Sequence, residues 1–339
     1  DEFAVLVDTI DPETAVTRAE GLRDLFDGYS FTFHDHQYHL SASIGVKCIS
    51  EADASTVGEI LSHANQACYT AKKRGRNRVH VYSPADREMY ALRHSVEWAP
   101  RIRAALKQEK FVLEFQPIYS LKEKKINHYE CLIRMRGQGD KLYYPQDFIP
   151  VAEAMGLIHQ IDLWVVNHAF ELLRHIPSDT ALAVNLSGNI FLDQNLYPLV
   201  ERKLLETGAD PSRLVFEITE TSAISNFEQT KQMVDRLRHL GCRFALDDFG
   251  AGFNSYSYLK HFPVDILKID GGFITNLHND PVDQLLVKSM IDISHSLGKK
   301  TVAEFVEDRE TLKMLQEFGV DFVQGYLIGK PQRALPNKS

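Results

Sequence analysis

Residues 214–270 read LVFEITETSAISNFEQTKQMVDRLRHLGCRFALDDFGAGFNSYSYLKHFPVDILKID. Three apolar runs stand out as strands, Leu214–Thr219, Phe244–Asp248 and Ile266–Ile269, and a helical stretch, Glu228–Leu240, separates the first two. Each run carries charge at its late positions: Glu217, the pair Asp247-Asp248, and Lys268. The alternation continues outward in both directions. Upstream strands are expected at Phe111–Tyr119, Tyr129–Met135 and Leu182–Leu186, and downstream ones at Thr301–Val306 and Phe322–Tyr326. Further helices are expected at Phe148–Arg174, Val282–Leu297 and Arg309–Phe318. Eight strands with helices between most of them predict an α/β protein, a (β/α)8 barrel rather than an open doubly wound sheet. The connection from Leu121 to His128 is too short for a helix. The first two strands should therefore form a hairpin, leaving one antiparallel strand in an otherwise parallel barrel.

The chain has 339 residues, too many for one ordinary domain. Ahead of the barrel, Phe3–Val7 reads as a strand, Thr14–Phe26 as an amphipathic helix, and His39–Cys48 as a second strand with Gly45 inside it. A second helix is expected over Val57–Lys72, closed by the turn Lys72-Lys73-Arg74-Gly75, and a last strand over Val79–Tyr82. Asp86–Leu106 is charged and helical, as a linker would be. The expected division is an α+β piece over residues 1–84, a linker helix over 85–106 and a barrel over 107–339.

A hydrophobic share of 44% and a charged share of 25% suit a soluble globular protein. No apolar run approaches the ~20 residues that span a bilayer, and the N-terminus lacks a signal-peptide pattern. Cys48, Cys68, Cys131 and Cys242 stand far apart, which suits reduced thiols and a cytoplasmic setting, including the cytoplasmic end of a longer protein. A net charge of -8 disfavours a nucleic-acid polymer as partner, since phosphate backbones are held by Lys and Arg. One small phosphate ligand stays open if cations supply positive charge locally.

Barrel active sites sit at the C-terminal ends of the strands. Those positions hold Asn185, Glu217, Asp247 with Asp248, Lys268, Glu304 and Gln324, and Glu130 joins them although it lies early on its strand. Any one of these acids alone reads as a helix cap or a turn residue. Together in one mouth they would repel one another unless cations stood between them. Oxygen ligands without His or Cys favour Mg2+ or Mn2+ over zinc. A carboxylate shared by two ions is the arrangement used for in-line phosphoester cleavage.

Glu130-Cys131-Leu132-Ile133-Arg134 resembles the E-x-L-x-R signature of EAL phosphodiesterases, preceded by Gln116-Pro117-Ile118. Asn185-Leu186-Ser187, Glu217-Ile218-Thr219-Glu220, Asp247-Asp248-Phe249-Gly250-Ala251-Gly252, Leu267-Lys268-Ile269-Asp270, Ala303-Glu304-Phe305-Val306-Glu307 and Gln324-Gly325-Tyr326 follow in that family's order. The resemblance implies a two-metal (Mg2+ or Mn2+) hydrolase that opens cyclic di-GMP to linear pGpG. It implies that Glu130, Asn185, Glu217 and Asp247 hold one ion, that Asp247 bridges to a second, and that Asp248 stands beside it. Lys268 would orient or deprotonate the attacking water, and Glu304 and Gln324 would complete the site. Arg134 would meet a substrate phosphate, with Gln116 also on the substrate side, and Glu220 would anchor the loop Asp248–Tyr256. Pairing of two barrels into a homodimer is implied as well. Three positions depart from the family pattern: Cys131 for alanine, Ala251 where threonine is commoner and Phe305 where glycine is commoner.

Asp1-Glu2-Phe3 resembles the end of the G-G-D-E-F signature of diguanylate cyclases, with later landmarks at Ser43-Ile44-Gly45-Val46 and Ala71–Val79. The likeness covers about the second half of such a domain, so GTP is a partner expected only of an intact one. The basic run Lys72–Arg78 reads as a solvated helix end, and His34, His36 and His39 as an exposed hairpin rather than a chelate. Two functional readings follow, an active phosphodiesterase and a silent cyclic di-GMP receptor signalling through the linker helix. An unrelated metal hydrolase on a barrel is a third. Retention of every ligand and of Lys268 favours the enzyme.

Overall fold

The computed structural model describes residues 3–8, 11–27, 29–33, 36–50, 56–83, 97–139, 141–251 and 256–335. The chain divides into two compact units, residues 1–99 and 100–339.

The first unit holds α1 (Pro12–Asp27), an antiparallel hairpin of β1 (Ser30–Phe33) and β2 (His36–His39), then β3 (Ile44–Val46), α2 (Val57–Lys73) and β4 (Val79–Val81). Strands β3 and β4 pair in parallel, with α2 as the crossover between them. A capping box starts α2: Glu59 donates its N–H to the Thr56 hydroxyl at 3.3 Å, and the Glu59 carboxylate accepts the Thr56 N–H at 2.8 Å. Gly45 lets the helix lie directly on β3, since a Cβ there would stand 2.1 Å from the Ala64 carbonyl oxygen. The expected strand His39–Cys48 is accordingly shorter, with His39 ending the hairpin and Ile44–Val46 alone pairing with β4. No strand forms at Phe3–Val7. Residues 3–8 join no ladder, and Phe3, Val5 and Leu6 are largely exposed. An apolar run becomes a strand only where a neighbouring edge takes up its backbone groups, and among the described residues β3 and β4 pair only with each other. Asp1, Glu2, His34 and most of the expected linker (84–96) lie outside the described residues.

A helix over residues 97–107 (α3), most of it in the second unit, leads into the barrel of that unit. Its strands are β5 (Phe111–Ser120), β6 (Lys125–Arg136), β8 (Ala181–Asn185), β9 (Leu214–Thr219), β10 (Arg243–Phe249), β11 (Ile266–Ile269), β12 (Lys300–Ala303) and β13 (Phe322–Gln324). The ring closes in the order β5-β13-β12-β11-β10-β9-β8-β6 and back to β5. Strand β5 is antiparallel to both neighbours and every other ring pairing is parallel. The expected hairpin and the single reversed strand are both present. A ninth strand, β7 (Leu142–Tyr143), pairs with the end of β6 outside the ring.

Three expected elements end early, each for a local reason. The helix expected over Phe148–Arg174 is two, α4 (Pro145–Ala154) and α5 (Ile158–Leu173), because Gly156 adopts φ 64° between them. Strand β12 stops at Ala303, two residues before Phe305 turns left-handed at φ 53°. Strand β13 stops at Gln324, where Gly325 lies so close to Val306 that a Cβ would stand 2.2 Å from its backbone.

The barrel floor is one apolar layer: Ile118, Ala183, Val215, Ala245, Ile266, Val302 and Phe322, all buried and each from a different strand. Side chains on a strand alternate faces, so the residue two positions on points inward one layer higher. Along the parallel strands those residues are Asn185, Glu217, Asp247, Lys268, Glu304 and Gln324, and along reversed β5 the step runs back to Gln116. Register agrees, since Asn185 pairs with Glu217, Lys268 with Val302, and Glu130 with both Ala183 and Gln116. The polar layer thus rests on a greasy floor. Among the described residues no helix is long and apolar enough to cross a membrane.

Candidate active site

Lys268 lies at the centre of this layer and is 1% exposed. Its Nζ is 2.9 Å from Glu304, 3.0 Å from Glu217, 3.1 Å from Asp247 and 3.9 Å from Glu130. A buried ammonium left alone would cost several kcal/mol, so the carboxylates are what keep it there. Burial opposes the charge on Lys268, but the four acids outweigh it and hold the amine protonated well above its ordinary range.

The acids are short of positive charge. Burial, with Glu130 and Asp247 alongside, pushes the Glu217 carboxyl well above the usual range despite Lys268. Glu304 is pushed up to about 7, by burial first and then by Asp247 and Glu130. Asp248 rises to about 6 through burial and the charge of Asp247. Glu130 goes the other way. Burial opposes its charge, but Lys268, two amide donors and Arg134 hold it below the ordinary value. Those amides are Gln324 Nε2, donating to Oε2 at 2.6 Å, and Asn185 Nδ2, donating to Oε1 at 2.6 Å.

The residues fit a divalent-cation site. Ligand oxygens of Asp247, Asp248 and Glu304 lie within 4.8 Å of one another. Five carboxylates, from Glu130, Glu217, Asp247, Asp248 and Glu304, face the one Lys268 ammonium. Gln324 Oε1 is buried without a hydrogen-bond partner, although its Nε2 serves both Glu130 and Gln116. Oxygen donors of this kind suit a hard cation. Asp248 reaches the mouth through a left-handed backbone, φ 55°, a conformation that Asp tolerates better than most residues.

Not every expected site residue joins the cluster. Arg134 stands four residues beyond Glu130 on β6, and its Nε donates to Glu114 at 3.0 Å while one terminal nitrogen donates to the Ile133 carbonyl. Its guanidinium lies 4.9 Å from the centre of the Tyr144 ring. Gln116 accepts from Gln324 at 3.2 Å and donates to the Gly329 carbonyl. Glu220 is buried at the start of the short helix Glu220–Ser225, accepting the Gly250 N–H at 3.2 Å and the Tyr258 hydroxyl at 2.7 Å. It therefore holds both described ends of the segment after β10; residues 252–255 of that segment lie outside the described residues. Cys131 is buried next to Glu130, and burial raises its thiol.

Two supporting groups were missed from sequence. Glu114, the partner of Arg134, was legible, because it lies two residues from Gln116 on the same face of the hairpin. Asp162 on α5 was not. Its carboxylate accepts both the hydroxyl and the N–H of Ser187, two residues past Asn185, across 25 positions of sequence.

The EAL domain model matches residues 99–331, and the model described as diguanylate cyclase, GGDEF domain, matches residues 1–78. The cyclic di-GMP phosphodiesterase PdeB of Shewanella oneidensis is 37% identical over 98% of this chain and 39% of its own length. The bifunctional diguanylate cyclase/cyclic di-GMP phosphodiesterase MucR of Pseudomonas aeruginosa is 33% identical over 98% of this chain and 49% of its own. The chain thus spans under half the length of these curated relatives. Among solved structures, the PaMucR phosphodiesterase in complex with c-di-GMP superposes with a TM-score of 0.66 at 34% identity, covering 70% of this chain and 98% of that one. The FimX EAL domain from Pseudomonas aeruginosa bound to c-di-GMP gives 0.66 at 33%, covering 70% and 97%. This chain belongs to the EAL domain family, with a GGDEF-family region ahead of its barrel.

Proposed function

We propose that the barrel hydrolyses cyclic di-GMP to linear pGpG. The observation that carries this reading is the cluster itself, five carboxylates and one buried ammonium brought together by five strands above a closed apolar floor, Asp247 and Asp248 sharing β10. When bound, two Mg2+ or Mn2+ ions would lower the pKa of a water and neutralise charge on the transferring phosphate. Glu130, Asn185, Glu217 and Asp247 would hold one, and Asp247 with Asp248 the other.

The chain's own groups have distinct tasks. Lys268, with three carboxylates within 3.1 Å of its Nζ, orients the attacking water as that water loses its proton. Glu304, with its carboxyl near 7 and 2.9 Å from Lys268, is suited to accept that proton. The water oxygen bonds to phosphorus, the bond from phosphorus to the 3′ oxygen breaks, and the leaving oxygen takes up a proton. Arg134, its planar fork braced by Glu114, faces a phosphate of the substrate, and Gln116 and Gln324 meet the substrate from the polar layer beside Glu130. Glu220 sets the segment that follows β10, the strand that carries Asp248. The solved relatives with c-di-GMP in place support the choice of nucleotide. Self-association of the barrel, GTP at an intact N-terminal domain and a cytoplasmic setting belong to the same reading.

Glu130→Ala and Lys268→Ala, each tested with Mn2+ and cyclic di-GMP, should lose pGpG formation by at least a hundredfold while keeping the circular-dichroism spectrum of the parent. Turnover that survives both changes removes the enzyme reading. Saturable binding without turnover in the unsubstituted protein would favour a receptor instead.

A further inference from the structure

Phe305 is a large apolar side chain in a place that local physics disfavours. It follows Glu304 directly, stands just past the end of β12, and is 60% exposed. Its backbone is left-handed at φ 53°, a region that bulky residues rarely enter. The strain is not offset by burial. The ring instead leans over the start of the short helix Gly271–Ile274, so close that a Cβ on Gly271 would meet it at 2.2 Å. Backbone ties hold the segment in position: Glu304 donates its N–H to the Ile269 carbonyl at 3.4 Å, and Val306 donates to Gln324 at 2.9 Å and accepts from Leu327 at 3.1 Å. Through Glu304 the ring is fixed one residue from the acid that touches Lys268. A rigid aromatic group is thus presented at the mouth of the barrel, one side against a glycine backbone.

We propose that Phe305 is a stacking platform for a guanine base of the bound dinucleotide, and that it sets substrate affinity rather than the rate of the chemical step. This rests on the reading of the site given above. A flat apolar ring offers a purine the π-face that stacking needs, and a base gives back the burial that the exposed ring lacks. Glycine at Gly271 is required for the ring to lie in that position.

The test is steady-state kinetics on cyclic di-GMP with Mn2+ for Phe305→Ala, Phe305→Leu and Phe305→Trp, together with Mn2+ titration of each variant. The leucine variant keeps apolar bulk and backbone strain but loses the aromatic face. KM should rise about tenfold in the alanine and leucine variants, as expected for one lost base–aromatic stack. In both, kcat should stay within twofold and Mn2+ affinity should be unchanged, and tryptophan should keep KM within twofold of the parent. Unchanged KM in the alanine and leucine variants, or an equal rise with tryptophan, would overturn the stacking role. A KM rise accompanied by weaker Mn2+ binding would also overturn it, by showing that the ring only props Glu304. Turnover by the parent with no response to these substitutions leaves the proposed activity standing without this residue, whereas a parent inert towards cyclic di-GMP removes both.

Discussion

Lys268 is buried with three carboxylates within 3.1 Å of its Nζ, and these groups depend on one another. Removing one partner of a buried charge network leaves the others uncompensated, at a cost of roughly 3–5 kcal/mol. Lys268→Met should therefore destabilise the metal-free protein by about that amount in urea or guanidinium unfolding with a chelator present. Excess Mn2+ should restore most of the loss, because the cation supplies the missing positive charge. A penalty that is the same with chelator and with Mn2+ would show that the acids do not form a cation site. At this scale much was legible in the sequence. Glu217, Asp247, Lys268, Glu304 and Gln324 could be read because a strand points alternate residues to one face, and each lies two positions past a floor residue. Phe305 was legible as a departure from the pattern, but its left-handed backbone was not.

Among the elements, α5 and the segment after β8 are joined by Asp162 and Ser187. Burial pushes the Asp162 carboxyl up to about 7, and the two bonds from Ser187 only partly oppose it. Its ordinary value is 3.8, so between about pH 4 and pH 7 the folded state binds a proton that the unfolded state has released. Asp162 then contributes a fall in stability as pH rises across that window, levelling off above it, of up to about 4 kcal/mol. Asp162→Asn should flatten that fall in the metal-free protein, read as the unfolding midpoint at half-unit pH steps. An unchanged slope would mean that Asp162 is ionised throughout. Sequence could not show this contact, because Asp162 and Ser187 lie 25 residues apart and meet only once α5 docks on the barrel. The break at Gly156 was hidden for a related reason. Apolar spacing continues through it, and only the left-handed turn shows two helices in place of one.

For the whole molecule, the closed ring is the device that turns scattered acids into a site. Eight strands from Phe111 to Gln324 each bring one inward residue to the same height, and reversed β5 brings Gln116 beside Glu130. This much followed from counting strands and from a connection too short for a helix. The strand expected at Phe3–Val7 did not form, since a strand depends on a neighbour that its own residues do not encode. The proposed function makes this ring of acids a cation-dependent phosphodiesterase centre. It is tested most directly by incubating the protein with cyclic di-GMP and resolving the nucleotides by chromatography, once with Mn2+ and once with excess chelator. Conversion to pGpG is expected with Mn2+ and none with chelator. Cyclic di-GMP left intact in the presence of Mn2+, or equal conversion in its absence, would contradict it.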